Sequence, residues 1–235
     1  MINSKSVLAI TLARGGSKGI PKKNISLIKD KPLISYTVEE VLKSKFIDKY
    51  IIATDDTDIE KACQKWKGIS KIEHFRRRPV SDTQTTAEGI LEVLDNMPKY
   101  DYVVEIMCTN PLKTVEDIDG VISKIDLTNS DSVVSVVRIW DNHPSRVKYI
   151  EDDLLVGLNP NEDPDTPGQR RQDLEPPAYV RNGSIYAMKW DQIKNQKRRL
   201  GSITRPYIMP EERTINIDEP RDLALAKFIL ENENN

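Results

Sequence analysis

The chain contains 235 residues, enough to bury the core of one α/β domain, and its composition requires no second domain. A formal net charge of -2 and a pI of about 5.9 leave no broad basic surface for duplex nucleic acid. No apolar run approaches the roughly 20 residues that span a bilayer, and the N-terminus lacks a signal-peptide layout, so we expect a cytoplasmic protein without a membrane or nucleic-acid partner.

The first predicted element is a buried strand, Val7-Leu8-Ala9-Ile10, and a loop rich in glycine and cations follows it. That loop reads Leu12-Ala13-Arg14-Gly15-Gly16-Ser17-Lys18-Gly19-Ile20-Pro21-Lys22-Lys23-Asn24. Its glycines allow backbone N–H groups to approach a ligand closely, and Arg14, Lys18 and Lys23 add positive charge. Both kinds of donor favour an anion such as a nucleotide phosphate, while an ordinary glycine-rich turn is the alternative.

This first loop differs from two general nucleotide-binding motifs. Ile20-Pro21 stand where a Walker A loop needs Lys followed by Ser or Thr, and no G-x-G-x-x-G occurs. The loop instead resembles the signature of the acylneuraminate cytidylyltransferases, which make CMP-activated sialic acids and related nonulosonates. The resemblance implies that Arg14, Lys18 and Lys23 balance phosphate charge during the reaction. It also implies nucleotide contacts from Leu12, Ala13, Arg14, Gly15, Gly16, Ser17 and Asn24.

Beyond the first loop, hydrophobic periodicity predicts alternating helices and strands. We expect five helices. They run from Pro32 to Lys43, from the acidic run Asp55 to Asp58 up to about Trp66, from Ala87 to Met97, from Val115 to Ile125, and from Asp218 and Pro220 to about Leu230. We expect strands at Lys49 to Thr54, Ile69 to Phe75, Tyr102 to Ile106 and Ser132 to Val137. The acidic run Asp55 to Asp58 suits a helix N-cap better than a metal site. This alternation predicts a three-layer α/β fold with a mostly parallel sheet, and the resemblance implies Rossmann-like nucleotidyltransferase topology.

A second polar loop reads Arg76-Arg77-Arg78-Pro79-Val80-Ser81-Asp82-Thr83-Gln84-Thr85-Thr86. Guanidinium groups suit phosphates or base carbonyls, and hydroxyl groups suit ribose and base edges. An exposed basic turn with Thr85 or Thr86 capping the next helix is the alternative, and it is compatible with nucleotide binding. In the resembling family an Arg-Pro followed by Asp-Thr lines the cytidine site, which implies nucleotide contacts from Arg78, Asp82 and Thr86.

The strand Tyr102 to Ile106 leads into Met107-Cys108-Thr109-Asn110-Pro111-Leu112-Lys113. Ligands in open α/β sheets collect beyond the carboxyl ends of strands, so this segment is expected to border the site. It resembles the family's Gln-Pro-Thr-Ser-Pro-Leu-Arg element, with Met107 in place of Gln and Asn110 in place of Ser. The Gln of relatives is implicated in sugar contact, so Met107 leaves the identity of the sugar open.

From about residue 139 to residue 180 the sequence is rich in Pro, Asp and Arg and lacks helical periodicity. A structureless loop of this length is unusual in a compact domain unless it is functional or binds a partner. In the resembling family this region is an arm that packs on a second subunit and helps to close its site, which implies a homodimer. The resemblance assigns substrate binding to Arg146, Arg171, Gln172, Tyr179 and Asn182. A guanidinium fork matches the carboxylate of an acidic sugar.

The cysteines and histidines offer few further candidates. Cys63 and Cys108 lack metal-type spacing, so we expect two reduced core residues. His143, directly before Pro144, is more typical of a structural or hydrogen-bonding residue than of a general base.

A magnesium site is implied near the C-terminus, at Asn216-Ile217-Asp218. In the resembling family a strand ends in Asp-x-Asp, whose carboxylates hold Mg²⁺ against the triphosphate, and strand alternation would place residues 216 and 218 on one face. Here Asn216 replaces the first Asp, and its amide oxygen can ligate a hard cation without adding charge. The alternative is that Asp218 only caps the final helix.

These features predict an enzyme that transfers CMP from CTP to the anomeric 2-hydroxyl of a nonulosonic acid and releases pyrophosphate. One alternative is the same chemistry on 3-deoxy-octulosonate, and another is a nucleotidyltransferase acting on a sugar 1-phosphate. A third is a catalytically impaired nucleotide-binding module, of which Asn216 would be the sign. The sequence identifies neither a general base nor the particular acid.

Overall fold

The computed structural model describes residues 1–158 and 170–232. The strands are Val7–Ala13 (β1), Leu27–Ile28 (β2), Lys31–Pro32 (β3), Lys49–Thr54 (β4), Ile72–Arg76 (β5), Tyr102–Ile106 (β6), Ser132–Ile139 (β7), Lys148–Glu151 (β8), Leu154–Gly157 (β9), Ala178–Lys189 (β10) and Thr204–Ile208 (β11). The α-helices are Leu33–Lys43 (α1), Thr57–Ala62 (α2), Thr86–Leu94 (α3), Val115–Thr128 (α4), Trp190–Gln196 (α5) and Pro220–Asn232 (α6). None of these helices is long and apolar enough to cross a membrane.

Seven strands form the central sheet in the order β11-β7-β10-β6-β1-β4-β5. β10 is antiparallel to both of its neighbours, whereas the other pairs are parallel. The predicted α/β fold with a mostly parallel sheet is therefore confirmed. Because β1, β4, β5 and β6 run in one direction, their carboxyl ends and the loops that follow them meet at one edge of the sheet.

Helices cover both faces of the sheet, because its central strands are apolar on both sides. On one face, Val7 and Ala9 of β1 pack with side chains of α1 and α4. On the other face, Leu8 and Ile10 of β1 pack with side chains of α3 and α5. A smaller cluster joins α6 to the first loop through Ile20, Ile217, Ala226 and Leu230.

Two expectations about irregular regions are corrected by the structure. The arm is not structureless, since β8 and β9 pair as an antiparallel hairpin and β10 begins at Ala178; the arm residues 159–169 lie outside the described residues. No strand carries residues 214–218, which run as irregular backbone tied to the segment after β6 by a 2.8 Å bond from Ile217 N to Thr109 O. Sequence periodicity also missed β10, whose pairing register shifts between Arg181 and Tyr186, and the short elements α5 and β11.

Candidate active site

A polar pocket of about 600 Å³ lies where β1 and β6 end. It is built by the first loop, the loop before α3, the end of β6 and residues 216–218. The lining residues are Leu12, Arg14, Ser17, Lys18, Gly19, Lys23, Asn24, Arg77, Val80, Asp82, Gln84, Thr85, Thr86, Glu105, Met107, Cys108, Thr109, Asn216 and Asp218. Most of the residues implied for nucleotide and metal contacts thus share one pocket.

The cations of the first loop meet two carboxylates across this pocket. Asp82 lies 3.0 Å from Lys18 Nζ and 3.6 Å from Arg14 Nη1, and all three side chains are well exposed. Lys23 is more enclosed, and its Nζ donates to Asp218 Oδ1 at 2.9 Å and to the Ile217 carbonyl at 2.7 Å. Positive charge is therefore concentrated where an anion can replace exposed carboxylates as its partner.

Side-chain hydrogen bonds hold the first loop in shape. Asn24 Nδ2 donates to the Arg14 carbonyl at 3.0 Å, and Cys108 Sγ donates to Asn24 Oδ1 at 3.1 Å. Asp55 accepts from the backbone N–H groups of Gly15 at 2.9 Å and Val80 at 3.1 Å, so it joins the first loop to the loop before α3. Four of the residues implied for nucleotide contacts, Ala13, Gly15, Gly16 and Arg78, do not line the pocket.

Asp56 and Thr85 act as the predicted helix caps. Asp56 Oδ1 accepts from the N–H groups of Asp58 at 2.7 Å and Ile59 at 3.0 Å at the start of α2. Thr85 forms a capping box with Glu88 at the start of α3, which orients Thr85 and Thr86 at the rim of the pocket. Asp56 thus confirms the predicted cap, whereas the bonds of Asp55 to the two loops were not predicted.

Asn216 and Asp218 lie side by side at the pocket, although no strand places them there. Asn216 Nδ2 donates to Asp218 Oδ2 at 2.5 Å, while Lys23 binds the other oxygen of that carboxylate. The described residues contain no group of three His, Cys, Asp or Glu side chains that could hold an ion. The donor set fits Mg²⁺ only together with outside oxygen ligands, and Mg²⁺ often binds in that way through a carboxylate, phosphates and waters.

The loop before α3 presents Arg77 to the pocket, whereas the resemblance implied Arg78. Arg77 is 6% exposed, and its Nη2 donates to Gln84 Oε1 at 2.9 Å. The Arg78 side chain is exposed on another surface hollow, and its backbone N–H donates to Glu92 at 2.8 Å. The Arg77 N–H donates to the Thr54 carbonyl at 2.9 Å and so extends the pairing of β5 with β4 by one residue, which places the Arg77 side chain on the opposite side from its neighbours Arg76 and Arg78.

The floor of the pocket contains a buried ion pair that the sequence interpretation missed. Glu105 of β6 is 2% exposed, and Arg199 Nη1 donates to its Oε2 at 2.8 Å. Burial raises the pKa of Glu105, and the neighbouring Arg199 opposes that shift. A lone acid within the apolar run Tyr102-Val103-Val104-Glu105-Ile106 was the available signal, since an unpaired carboxylate is rarely buried.

The sequence model of a family described as cytidylyltransferase matches residues 8–198. The chain belongs to the cytidylyltransferase family. It is 32% identical over 220 residues to N-acylneuraminate cytidylyltransferase B of Danio rerio, covering 93% of this chain and 50% of that protein. It is 28% identical over 233 residues to N-acylneuraminate cytidylyltransferase of Escherichia coli O18:K1:H7 (strain RS218 / NMEC), covering 97% of this chain and 53% of that protein. The chain therefore spans about half the length of these curated relatives.

Another relative is matched over nearly its whole length. The post-translational flagellin modification protein B of Campylobacter coli is 25% identical over 236 residues, covering 97% of this chain and 96% of that protein. Among solved structures, a CMP:2-keto-3-deoxy-manno-octonic acid synthetase complexed with CTP has a TM-score of 0.71 at 19% identity, covering 97% of this chain and 99% of that one. The structural likeness establishes the nucleotidyltransferase fold, and the resemblance drawn from the first loop is confirmed at the level of the family.

The residues implied for sugar binding lie outside this pocket. Arg171 and Gln172 border a shallow hollow on the arm, where Arg171 lies 4.0 Å from Glu211. Arg146 pairs with Asp141 at 3.3 Å, and the Tyr179 ring is partly exposed on β10. Within a single chain, these four residues therefore do not reach the pocket at the ends of β1 and β6.

Asn182 is buried in a hydrogen-bond network, so the expected contact with substrate is not met. Its Oδ1 accepts from Ser135 Oγ at 2.6 Å. Its Nδ2 donates to Met209 Sδ at 3.1 Å and to Thr214 Oγ1 at 3.3 Å. These bonds join β10 and β7 to the segment that leads toward Asn216, which is a structural role.

The histidine and cysteine predictions agree with the structure. His143 is buried in the arm, where Nε2 donates to the Pro176 carbonyl at 2.9 Å and Nδ1 contacts Ser145 Oγ at 2.8 Å. Cys63 and Cys108 are free and buried. Burial raises the pKa of Cys63 to about 12 and that of Cys108 to about 11, which disfavours a nucleophilic thiolate.

Proposed function

We propose that this chain transfers CMP from CTP to the anomeric hydroxyl of a nonulosonic acid, forming a CMP-sugar and pyrophosphate. One observation carries the proposal: the cations of the first loop share a single pocket with Asn216 and Asp218, about 200 residues away. Membership of the cytidylyltransferase family supports the nucleotide, and the names of the Danio rerio and Escherichia coli relatives support the class of acid.

In the proposed reaction the anomeric oxygen forms a bond to the α-phosphorus of CTP. The bond from that phosphorus to the oxygen bridging the α- and β-phosphates breaks, pyrophosphate leaves, and the hydroxyl proton passes to solvent or a base. Arg14, Lys18 and Lys23 balance the charge that develops on the phosphates, so they act mainly by position and electrostatics. The triphosphate replaces Asp82 as the partner of Arg14 and Lys18. Asp82 is then free to contact the ribose.

Mg²⁺ is proposed to bind at Asp218 and Asn216, with phosphate and water oxygens completing its ligands. When bound, the ion neutralises negative charge on the phosphates. Lys23 and Asn216 hold the Asp218 carboxylate at the pocket through contacts of 2.9 Å and 2.5 Å. Ser17, Thr85 and Thr86 offer hydroxyl groups, and Asn24 keeps the first loop in a conformation open to the nucleotide.

The chain is further proposed to act as a homodimer in the cytoplasm, where CTP is made. The β8–β9 hairpin exposes four large apolar side chains, Tyr149, Ile150, Leu154 and Leu155, which a second subunit can cover. In the dimer, Arg146, Arg171, Gln172 and Tyr179 of the arm are proposed to approach the partner's pocket and bind the carboxylate of the sugar. This arrangement accounts for their distance from the pocket of their own chain.

The decisive experiment measures pyrophosphate release from CTP and Mg²⁺ with a panel of nonulosonic acids, 3-deoxy-octulosonate and sugar 1-phosphates. ATP, GTP and UTP serve as controls. Release with CTP and one nonulosonic acid is expected and identifies the acceptor. Release only with the octulosonate or a sugar 1-phosphate would replace the proposed acceptor, and absence of CTP binding would refute the proposal. CTP binding without release, reversed by Asn216→Asp, would identify an impaired metal site.

A further inference from the structure

The pocket floor places one buried carboxylate oxygen within reach of a ligand. Glu105 uses Oε2 to bind Arg199, and its Oε1 makes no hydrogen bond within the described part of the chain. Arg199 is itself held by stacking on the Tyr186 ring, with the guanidinium carbon 4.1 Å from the ring centroid. Arg199 favours the ionised form of Glu105 against the effect of burial, and the carboxylate is held in place with one oxygen able to accept a further hydrogen bond.

The strand register places Glu105 at the α3 side of the pocket. Glu105 pairs with Ile10 of β1 and with Tyr186 of β10, and both neighbours belong to the core under α3 and α5. Leu12 and Arg77 lie on the same side, since both come within 3 Å of the point where a Cβ on Gly89 of α3 would lie. At this corner of the pocket the apolar side chain of Leu12 lies near the guanidinium of Arg77 and the carboxylate of Glu105. An apolar surface beside polar groups suits a flat ring with polar edges.

The charged groups of the pocket lie at two ends. Lys23 and Asp218 lie where the first loop meets residues 216–218, on the side of the cluster that holds α6. Glu105 lies under the opposite corner, where its free carboxylate oxygen would meet a triphosphate oxygen as one acceptor against another. The uncharged part of a nucleotide, its base, is the part that this corner can accept.

Given the proposed use of CTP, on which this inference rests, we propose that Glu105 determines the choice of base. Its free carboxylate oxygen accepts a hydrogen bond from the exocyclic amino group of cytosine, and Arg199 positions the carboxylate. Uracil carries a carbonyl oxygen in place of that amino group, so a carboxylate that can only accept would face another acceptor. Such a mismatch is a strong basis for rejection, because it leaves polar groups unpaired in a buried site.

The test compares the affinities of CTP and UTP by titration calorimetry on the full chain, without any sugar acceptor. Glu105→Gln preserves side-chain size and an oxygen for Arg199, and it adds an amide N–H that can face the uracil carbonyl. The ratio of CTP affinity to UTP affinity is expected to fall about tenfold or more. Glu105→Asp retains the charge on a shorter stem, so it is expected to weaken CTP binding while keeping the preference for CTP.

Asp117→Asn is the matched control. Asp117 is another fully buried carboxylate, it binds Arg213 at the same 2.8 Å, and it lies outside the pocket. This control is expected to leave the affinity ratio unchanged, and a loss of preference there would show a general effect of breaking a buried ion pair. If Glu105→Gln binds CTP with an unchanged ratio of CTP affinity to UTP affinity, the inference about Glu105 is wrong while the proposed function stands. Undiminished CTP binding by Glu105→Asp would have the same consequence. Failure of the unaltered chain to bind CTP would overturn the proposed function together with it.

Discussion

At the residue scale, two neighbouring lysines of the first loop have different surroundings. Lys18 lines the pocket beside Asp82, whereas Lys22 turns away and binds Asp58 at 2.6 Å. Both side chains are exposed and both carry one positive charge, so residue type and exposure do not distinguish their roles. Their ion-pair partners differ, and Lys22 therefore serves as a control for the role of the Lys18 charge in the pocket.

Lys18→Ala is expected to lower kcat roughly 100-fold or more while changing CTP affinity far less, because its charge is needed most as negative charge develops. Lys22→Ala should leave kcat close to that of the unaltered enzyme. Steady-state pyrophosphate release and CTP titration give the two quantities for each variant. Equal losses of kcat and of CTP affinity in Lys18→Ala would mean that its contact is uniform and not specific to the transition state.

Lys113 is the most deeply buried cation of the described chain and lies directly behind the pocket wall. Its Nζ donates to Thr37 Oγ1 at 2.8 Å and to the Asn110 carbonyl. Burial lowers the pKa of Lys113 to about 7, against opposing effects of Cys108, Glu40 and Asp117. The two side-chain polar atoms of Asn110 are buried beside it without partners, so this region is costly to bury.

The free energy of unfolding should therefore depend on pH through Lys113. Below about pH 7 the folded and unfolded chains are both protonated, and the full cost of burying the charge is present. Between that value and the ordinary lysine pKa of 10.5 only the unfolded chain holds the proton, so Lys113 destabilises less as the pH rises.

Lys113→Met removes this titration. Its stability relative to the unaltered protein should be most favourable near pH 7 and should decline toward pH 10, by on the order of a few kcal/mol. Urea unfolding of both proteins across this range measures the difference, and the lost hydrogen bonds add only an offset that does not depend on pH. Parallel stability curves for the two proteins would contradict a depressed pKa.

At the scale of elements, the first loop and residues 216–218 form one unit although neither is a helix or strand. Lys23 donates to Ile217 and Asp218, and the α6 cluster packs Ile20 against Ile217. Gly19 makes the closest approach, since an added Cβ would lie 2.3 Å from the Asp218 carbonyl oxygen. A side chain at this position would therefore push the two segments apart.

Gly19→Ala is expected to destabilise the protein by about 1–3 kcal/mol, the usual range for overpacking, and to weaken the effect of Mg²⁺ on activity. Gly16→Ala is the matched control in the same loop, because nothing lies within 4 Å of its added Cβ. Its effect should stay within about 0.5 kcal/mol, as for other surface changes. Urea unfolding and magnesium titration of pyrophosphate release test both variants, and equal behaviour would argue against a tight contact between the segments.

At the scale of the whole molecule, the exposed hairpin of the arm is the feature that the single chain leaves unexplained. Ile150 is 77% exposed and Leu154 is 66% exposed. Adjacent apolar side chains with this exposure are typical of a protein interface. The proposed homodimer covers them and brings the cations of the arm toward the partner's pocket.

Light scattering should give a dimer for the unaltered protein and a monomer for the double variant Ile150→Lys with Leu154→Lys, because two charges cannot be buried in an apolar interface without partners. Leu127→Lys is the control, since Leu127 is 81% exposed on α4 and lies outside the arm. The monomeric variant should also show a raised KM for the acid with CTP affinity preserved. A dimer that survives the double substitution, or a monomeric unaltered protein, would count against the arm as the interface.

Much of the fold follows from local patterns in the sequence. β4 and β6 begin and end where apolar runs and turn signals predicted, because a strand buried on both faces is apolar at most of its positions. The caps Asp56 and Thr85 followed in the same way, since they bond to N–H groups only two or three residues away. The short elements α5 and β11 were missed because few residues carry their periodicity.

The sequence by itself determined the fold class, the family and the segments that border the pocket, because those properties depend on local periodicity and on motifs of contiguous residues. Only the tertiary structure decided which side chains face the pocket. It selected Arg77 over Arg78, buried Asn182, and placed Glu105 and Arg199 on the floor of the pocket. Each of these outcomes depends on strand register and on contacts between residues far apart in the chain, which no local pattern records.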